Sequence, residues 1–214
     1  SGKLFLAATH KSVLKVLRQA DYLSSKYQVV IANPPYMGGK GMNPRLTKWV
    51  KENYPDSKSD LFSMFIERDL NLAVRSGFSA MINMQSWMFL SSFEKLRRKL
   101  FRQATISSMA HLGSRAFDSI GGEVVSTTAY VIERKSMTEF DGSYIRLVDG
   151  RSEAEKEAEL LKAIKMSNSD RFYSASTVDF NKIPGSPVAY WASDRMLEVF
   201  KEFKPLSDVA KPRQ

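Results

Sequence analysis

Residues 27–39 read YQVVIANPPYMGG. Tyr27–Ala32 is apolar and β-branched without alternation, the pattern of a strand buried on both faces, as in a parallel sheet. It runs into Asn33-Pro34-Pro35-Tyr36. Proline fixes its own φ and pushes the residue before it towards extended backbone. A stiff turn is therefore expected, with the Asn33 side-chain oxygen and a main-chain carbonyl held as fixed acceptors. Tyr36 adds a flat ring beside them. In open α/β sheets, ligands sit outside the carboxyl ends of the strands. The group that suits this platform is an exocyclic amine on a flat heterocycle. Two acceptors can take its two N–H bonds and localise a lone pair otherwise delocalised into the ring. The alternative is a strand ending in a proline turn over a packed tyrosine.

Outward from this stretch, helical and strand patterns alternate. KSVLKVLRQADYLSS (11–25) has apolar residues at helical spacing, as does SKSDLFSMFIERDLNLAVRSG (57–77), which Ser59 or Asp60 can cap and Gly77 can end. FSAMINM, TISSMAHLG and VVSTTAYVIER read as strands, and YIRLVD as the hairpin partner of the last. SSFEKLRRKLFRQA reads as a helix with a solvated basic face that includes Arg97, Arg98 and Lys99. Asn33 to Pro55 reads as a long loop, and FNKIPGSPVAYW as a linker. SEAEKEAELLKAIKM and SDRMLEVFKEF read as helices. The order implies an α/β fold, with parallel strands flanked by helices and an antiparallel hairpin at the C-terminal side.

The chain has 214 residues, 43% of them hydrophobic and 26% charged, which is ordinary for a globular protein. No run approaches the roughly 18 apolar residues that span a bilayer, so no membrane partner is expected. There is no cysteine, which excludes disulfides and thiolate metal sites and fits a reducing cytoplasm. With two histidines, His10 and His111, no metal site is expected. The formal charge of +9 suits a polyanionic partner, nucleic acid first. Lys40, Arg45, Lys48 and Lys51 follow the proline turn directly, where phosphates of a bound strand would pass; a merely solvated loop is the other reading.

The strand followed by N-P-P-Y resembles the catalytic motif of N6-adenine DNA methyltransferases. The longer blocks NPPYMGGKGMN, NYPDSKSDLFSMFIER, MQSWMFLSSFEKLRRKL, MAHLGSRAFDSIGGEVVSTTAYVIER and YIRLVD resemble the PglX methyltransferases of BREX phage-defence systems, from about Tyr22 to Asp149. The resemblance implies a Rossmann-like class I methyltransferase sheet that uses S-adenosyl-L-methionine. The partners it implies are double-stranded DNA with a flipped adenine and other phage-defence proteins, in a bacterial cytoplasm. It implies that Asn33 and the main chain at Pro34, held by Pro35, grip the adenine amino group while Tyr36 stacks on the base. Phe117 stands where related enzymes carry a second stacking aromatic, and Phe65 where an aromatic lines the cofactor's adenine pocket. Either ring can equally be core, as can Trp87.

One departure stands out. The family's glycine-rich cofactor element, F-x-G-x-G, precedes N-P-P-Y, and the 32 residues before Asn33 lack it. The expectation is a partial sheet: residues 1–185 as the carboxyl half of a catalytic domain, and 186–214 as a linker and the start of a target-recognition domain. Such a fragment is expected to be inactive alone and to bind the cofactor weakly. Two other functions stay open: methylation of RNA or a protein amide, and non-catalytic DNA binding by a methyltransferase-like fold.

Overall fold

The computed structural model describes residues 2–118, 125–166 and 169–203. Of the stretch 186–214, expected to be a linker and the start of a target-recognition domain, residues 204–214 lie outside the described residues. Six strands form one sheet in the order β1-β2-β4-β3-β5-β6: β1 Tyr27–Ala32, β2 Ala73–Met84, β3 Thr105–Gly113, β4 Thr127–Glu133, β5 Asp141–Arg146 and β6 Phe172–Ser176. The helices are α1 Gly2–Ser24, α2 Pro44–Asn53, α3 Leu61–Leu72, α4 Glu94–Gln103, α5 Glu153–Lys165 and α6 Asp194–Glu202.

The α/β expectation holds, and the sheet is mixed. β1 runs parallel to β2 and β3 parallel to β5. The expected hairpin between the fourth and fifth strands does not form. Instead β4 lies between β2 and β3, antiparallel to both, with Tyr130 opposite Met81 on one side and Met109 on the other. The reason is burial: Tyr130 and Ile132 are 3% and 1% exposed at the sheet centre, which an edge hairpin would not allow.

α3, α4 and the segment 180–190 cover one face of the sheet. Phe62, Ile66 and Leu70 of α3 join Leu96, Leu100 and Phe101 of α4 over Met81, Met109, Tyr130, Ile132 and Tyr144. The opposite face is an open apolar groove of about 710 Å³, lined by Ile31, Ala80, Ile82, Ala110, Val131 and Ile145 among others. β1 is thus not buried on both faces as its composition implies, and Ile31 is 77% exposed. α5 covers the β5 end of this face, where Leu160 and Ile164 line the groove, and does not cover Ile31. The apolar stripe of α1 is likewise exposed at Val13, Leu14, Val16 and Leu17.

Three further sequence readings change. α3 stops at Leu72 rather than Gly77, because Ala73 already pairs with Tyr27 of β1. Gly77 then sits in the bulge between β1 and β2, where a Cβ would come 2.9 Å from the Gln28 carbonyl oxygen. The loop 33–55 contains α2, opened by Asn43, whose side chain accepts from the Leu46 N–H, with Pro44 in the first turn. FNKIPGSPVAYW (180–191) is no linker: Phe180 at its start and Val188 and Tyr190 near its end are core residues.

Arg97 is the largest departure. It is 1% exposed rather than solvated. Its guanidinium donates to four carbonyls, those of Trp87 and Leu90 at 2.8 Å, Ser186 at 2.9 Å and Gly185 at 2.7 Å. Burial lowers its pKa to about 10. Arg98 does lie on the surface, paired with Glu94 at 2.9 Å, and Lys99 pairs with the buried Glu67. Replacing Arg97 by Ala would strand these carbonyls, each orphaned acceptor costing about 1–3 kcal/mol. Arg97→Ala is therefore expected to lose more than about 3 kcal/mol in urea denaturation, while Arg98→Ala changes stability by less than about 1 kcal/mol.

Candidate active site at the carboxyl rim of the sheet

β1, β2, β3 and β5 all point their carboxyl ends to one rim, and Asn33 stands there directly after β1. Pro34 is buried while Asn33, Pro35 and Tyr36 are exposed. The Asn33 amide has no hydrogen-bond partner among the described residues. Tyr36 meets Phe62 edge-on, with centroids 6.1 Å apart and planes at 83°, yet stays 36% exposed, so a flat ligand has access to it. Partial burial raises its pKa and keeps the ring neutral.

Asp60 fixes the far side of this turn. Its Oδ1 accepts from the Met37 N–H at 3.0 Å and from the Phe62 N–H at 3.3 Å. The Leu61 N–H in turn donates to the Met37 carbonyl at 3.0 Å. One carboxylate therefore caps α3 and ties the Asn-Pro-Pro-Tyr turn to it. The sequence marked Asp60 as a cap; its bond to Met37, 23 residues away, has no local signal.

The other expected site residues are dispersed. Phe65 lies on α3, half-buried against the central core. α3 packs on both β1 and β2, so this ring is carried on the helix beside the strand that ends at Asn33. Phe117 is half-buried in the loop after β3. Trp87 is core, fully buried against Tyr130 with centroids 5.1 Å apart. Lys40 lies in a short 3-10 turn, and Arg45, Lys48 and Lys51 lie on α2, all exposed. Trp49, half exposed between them, leans on Tyr54 at 5.4 Å.

Further along the rim is a group the sequence reading missed. His111, 3% exposed at the end of β3, places Nε2 2.6 Å from Gln85 Oε1 and Nδ1 2.8 Å from Tyr190 Oη. These partners suit a neutral ring that donates to Gln85 and accepts from the tyrosine. Burial lowers the His111 pKa to about 4, helped by the charges of Arg146 and Lys156. Lys156, also buried, donates to the carbonyls of Leu112 at 2.7 Å and Leu147 at 2.6 Å. Gly113 turns the chain here at φ +69°, with a Cβ position only 3.0 Å from Val148 Cα, so only glycine fits without strain.

The sequence profile of Eco57I restriction-modification methylases matches residues 6–117. The chain belongs to this family. It is 46% identical to the adenine-specific methyltransferase PglX of Lacticaseibacillus casei (strain Zhang), over 87% of this chain and 15% of that protein. It is also 46% identical to the adenine-specific methyltransferase BrxX of Escherichia coli O9:H4 (strain HS), over 91% of this chain and 16% of the relative. The chain thus spans about one sixth of the length of these curated relatives. Its fold is similar to that of a nuclease-deletion mutant of the Type ISP restriction-modification enzyme LlaGI, solved with a DNA substrate mimic. The TM-score is 0.54 at 17% identity, over 86% of this chain and 20% of that one.

Two outcomes follow from this geometry. Asp60→Ala should lose about 1–2 kcal/mol of stability, and hydrogen exchange should speed up at the Met37 amide more than in the last turn of α3. The second concerns pH. His111 stays neutral in the fold, so its contribution is present above pH 6.5 and lost as pH falls through about 4. Asp69 acts oppositely: burial raises its pKa to about 6, so its contribution is present below pH 3.8 and lost as pH rises through 6. The two slopes nearly cancel. Asp69→Asn should therefore show stability falling by about 3 kcal/mol from pH 6.5 to 4, against a much smaller change in the native sequence, in urea titrations across that range.

Proposed function

We propose that the full-length protein methylates the N6 amino group of adenine in DNA with S-adenosyl-L-methionine, in bacterial phage defence or restriction–modification. The observation that carries this reading is the unshared Asn33 amide at the carboxyl rim, on a rigid Pro-Pro turn beside an accessible Tyr36. Membership of a restriction-modification methylase family, and similarity to relatives named as adenine-specific, support it.

In this reading the target adenine is flipped out of the duplex, because its reacting nitrogen cannot be attacked in line within the stack. Tyr36 stacks on one face of the base and Phe117 on the other. The Asn33 Oδ1 and the Pro34 carbonyl accept the two amino N–H bonds and draw the lone pair out of conjugation, matching the charge that builds on nitrogen. The cofactor would supply an electrophilic methyl group, with Phe65 lining the pocket for its adenine. The amine nitrogen would take that methyl group, leaving the cofactor sulfur as a neutral thioether, and would then release one proton to solvent. Asp60 keeps the turn aligned, and Pro35 keeps it stiff. Lys40, Arg45, Lys48 and Lys51 neutralise backbone phosphates near the flipped base. Residues 1–185 form the carboxyl half of the catalytic domain, and the protein works in the cytoplasm. No described helix is long and apolar enough to cross a membrane.

The test uses labelled cofactor and the full-length protein, with the modified base identified by mass spectrometry. Label should appear on adenine N6, and Asn33→Ala should reduce it by about 100-fold or more while DNA binding persists. Label on RNA or on a protein amide would overturn the assignment. So would DNA binding with no transfer under any condition in which a related enzyme is active.

A further inference from the structure

Between the ends of β2, β3 and β5 the rim opens into a second pocket of about 430 Å³. Gln85, Phe89, His111, Ser114, Arg146 and Trp191 are among its walls. It shares no lining residue with the Asn33 turn, and the reading above gives it no task.

Its chemistry is specific. The Arg146 guanidinium carbon lies over the Trp191 ring, 5.5 Å from its centroid, and the arginine is half-exposed at the pocket wall. Trp191 is in turn braced by Phe89, with centroids 5.7 Å apart, and by Tyr190 at 4.9 Å. Tyr190 also lies within electrostatic reach of Arg146. Tyr190 Oη continues to His111 and His111 to Gln85, so the wall behind the arginine is a connected chain of side chains. Among the described residues no carboxylate forms an ion pair with Arg146; the nearby Asp149 is turned to Arg171 at 3.6 Å. A planar cation with unshared N–H donors, presented on an aromatic plate and with serine hydroxyls alongside, is built to receive an oxyanion.

The pocket lies on the same rim as Asn33. β3 is three strands from β1 and β5 four, or roughly 14–19 Å at the usual strand spacing. That span equals about four to six base-pair rises along the axis of a duplex. We propose that this pocket is a phosphate subsite for the DNA backbone, in which Arg146, stacked on Trp191, grips a phosphate several nucleotides from the target base. The subsite rests on the reading of DNA as the substrate. It would fix the register of the duplex on the rim, while α2 holds phosphates at the other side of the flipped base.

The test measures how the affinity of the full-length protein for a mixed-sequence DNA duplex depends on salt. For Arg146→Gln the slope of log K against log salt should shrink by about 0.9, one phosphate's worth, and affinity near physiological salt should drop about three- to tenfold. Arg146→Lys should keep most of the slope and lose part of the affinity. If Arg146→Gln does not fold, Trp191→Leu serves instead, because that ring is 39% exposed. It leaves the charge unsupported and should weaken binding with the slope retained. Unchanged slope and affinity in Arg146→Gln, or unchanged affinity in Trp191→Leu, would overturn the subsite. These readouts need no methyl transfer, so they fail or succeed separately from the Asn33→Ala experiment.

Discussion

The rest of the rim depends on the buried guanidinium of Arg97. A charge at 1% exposure is tolerable only if its donors find acceptors, and here all three guanidinium nitrogens donate, to four carbonyls in all. Those carbonyls belong to two places that one backbone hydrogen bond, Val188 N–H to the Met88 carbonyl at 3.0 Å, also joins: the turn after β2 and the segment 185–186. By clamping them together, Arg97 brings Val188, Tyr190 and Trp191 over the sheet. Tyr190 then reaches His111 and stacks on Tyr144, with centroids 4.9 Å apart and planes 8° from parallel. Arg97 thus shares, with the Val188–Met88 bond and this ring packing, the holding of the wall behind Trp191.

Asp60 does on the other side what Arg97 does here. Both are ionised groups used as anchors for backbone rather than as partners for opposite charge. The carboxylate collects N–H groups at a helix start, and the guanidinium collects carbonyls that a turn leaves unpaired. Lys156 repeats the device at the ends of β3 and β5. The rim is therefore stiffened by three side chains that never need to touch a substrate. Tyr36, Asn33 and Arg146 stay free to do so.

How much of this is legible in the sequence follows from range. β1, β3 and α3 declare themselves by local apolar pattern, and Asn33–Tyr36 by a tetrapeptide. α2 was also legible, since Asn43-Pro44 is a helix start, but prolines and glycines around it read as loop. The place of β4 was not. An antiparallel strand inserted between two parallel neighbours has the same alternation as one at an edge. Arg97 was misread because helical spacing gives a face, and only the segment 88 residues later decides that this face is covered. The second rim pocket draws on β2, β3, β5 and the chain near residue 191, so no window of sequence contains it. The exposed Ile31 shows the limit from the other direction: an apolar run reports a preference for burial, and what lies over it is a separate matter.

The insertion of β4 has a consequence for how the chain comes off the ribosome. β2 and β3 are made before β4 and never pair with each other; β2 has β1 beside it, but β3 waits for the strand that separates them. Until Thr127–Glu133 emerges, β3 has no partner made before it, and Met109 and Ile106 have no finished sheet to sit in. The nucleus must be assembled from strands distant in sequence, which slows folding and leaves apolar edges open in the meantime. Synthesis rate across residues 105–133 should therefore bear on the yield of native protein more than rate elsewhere in the chain.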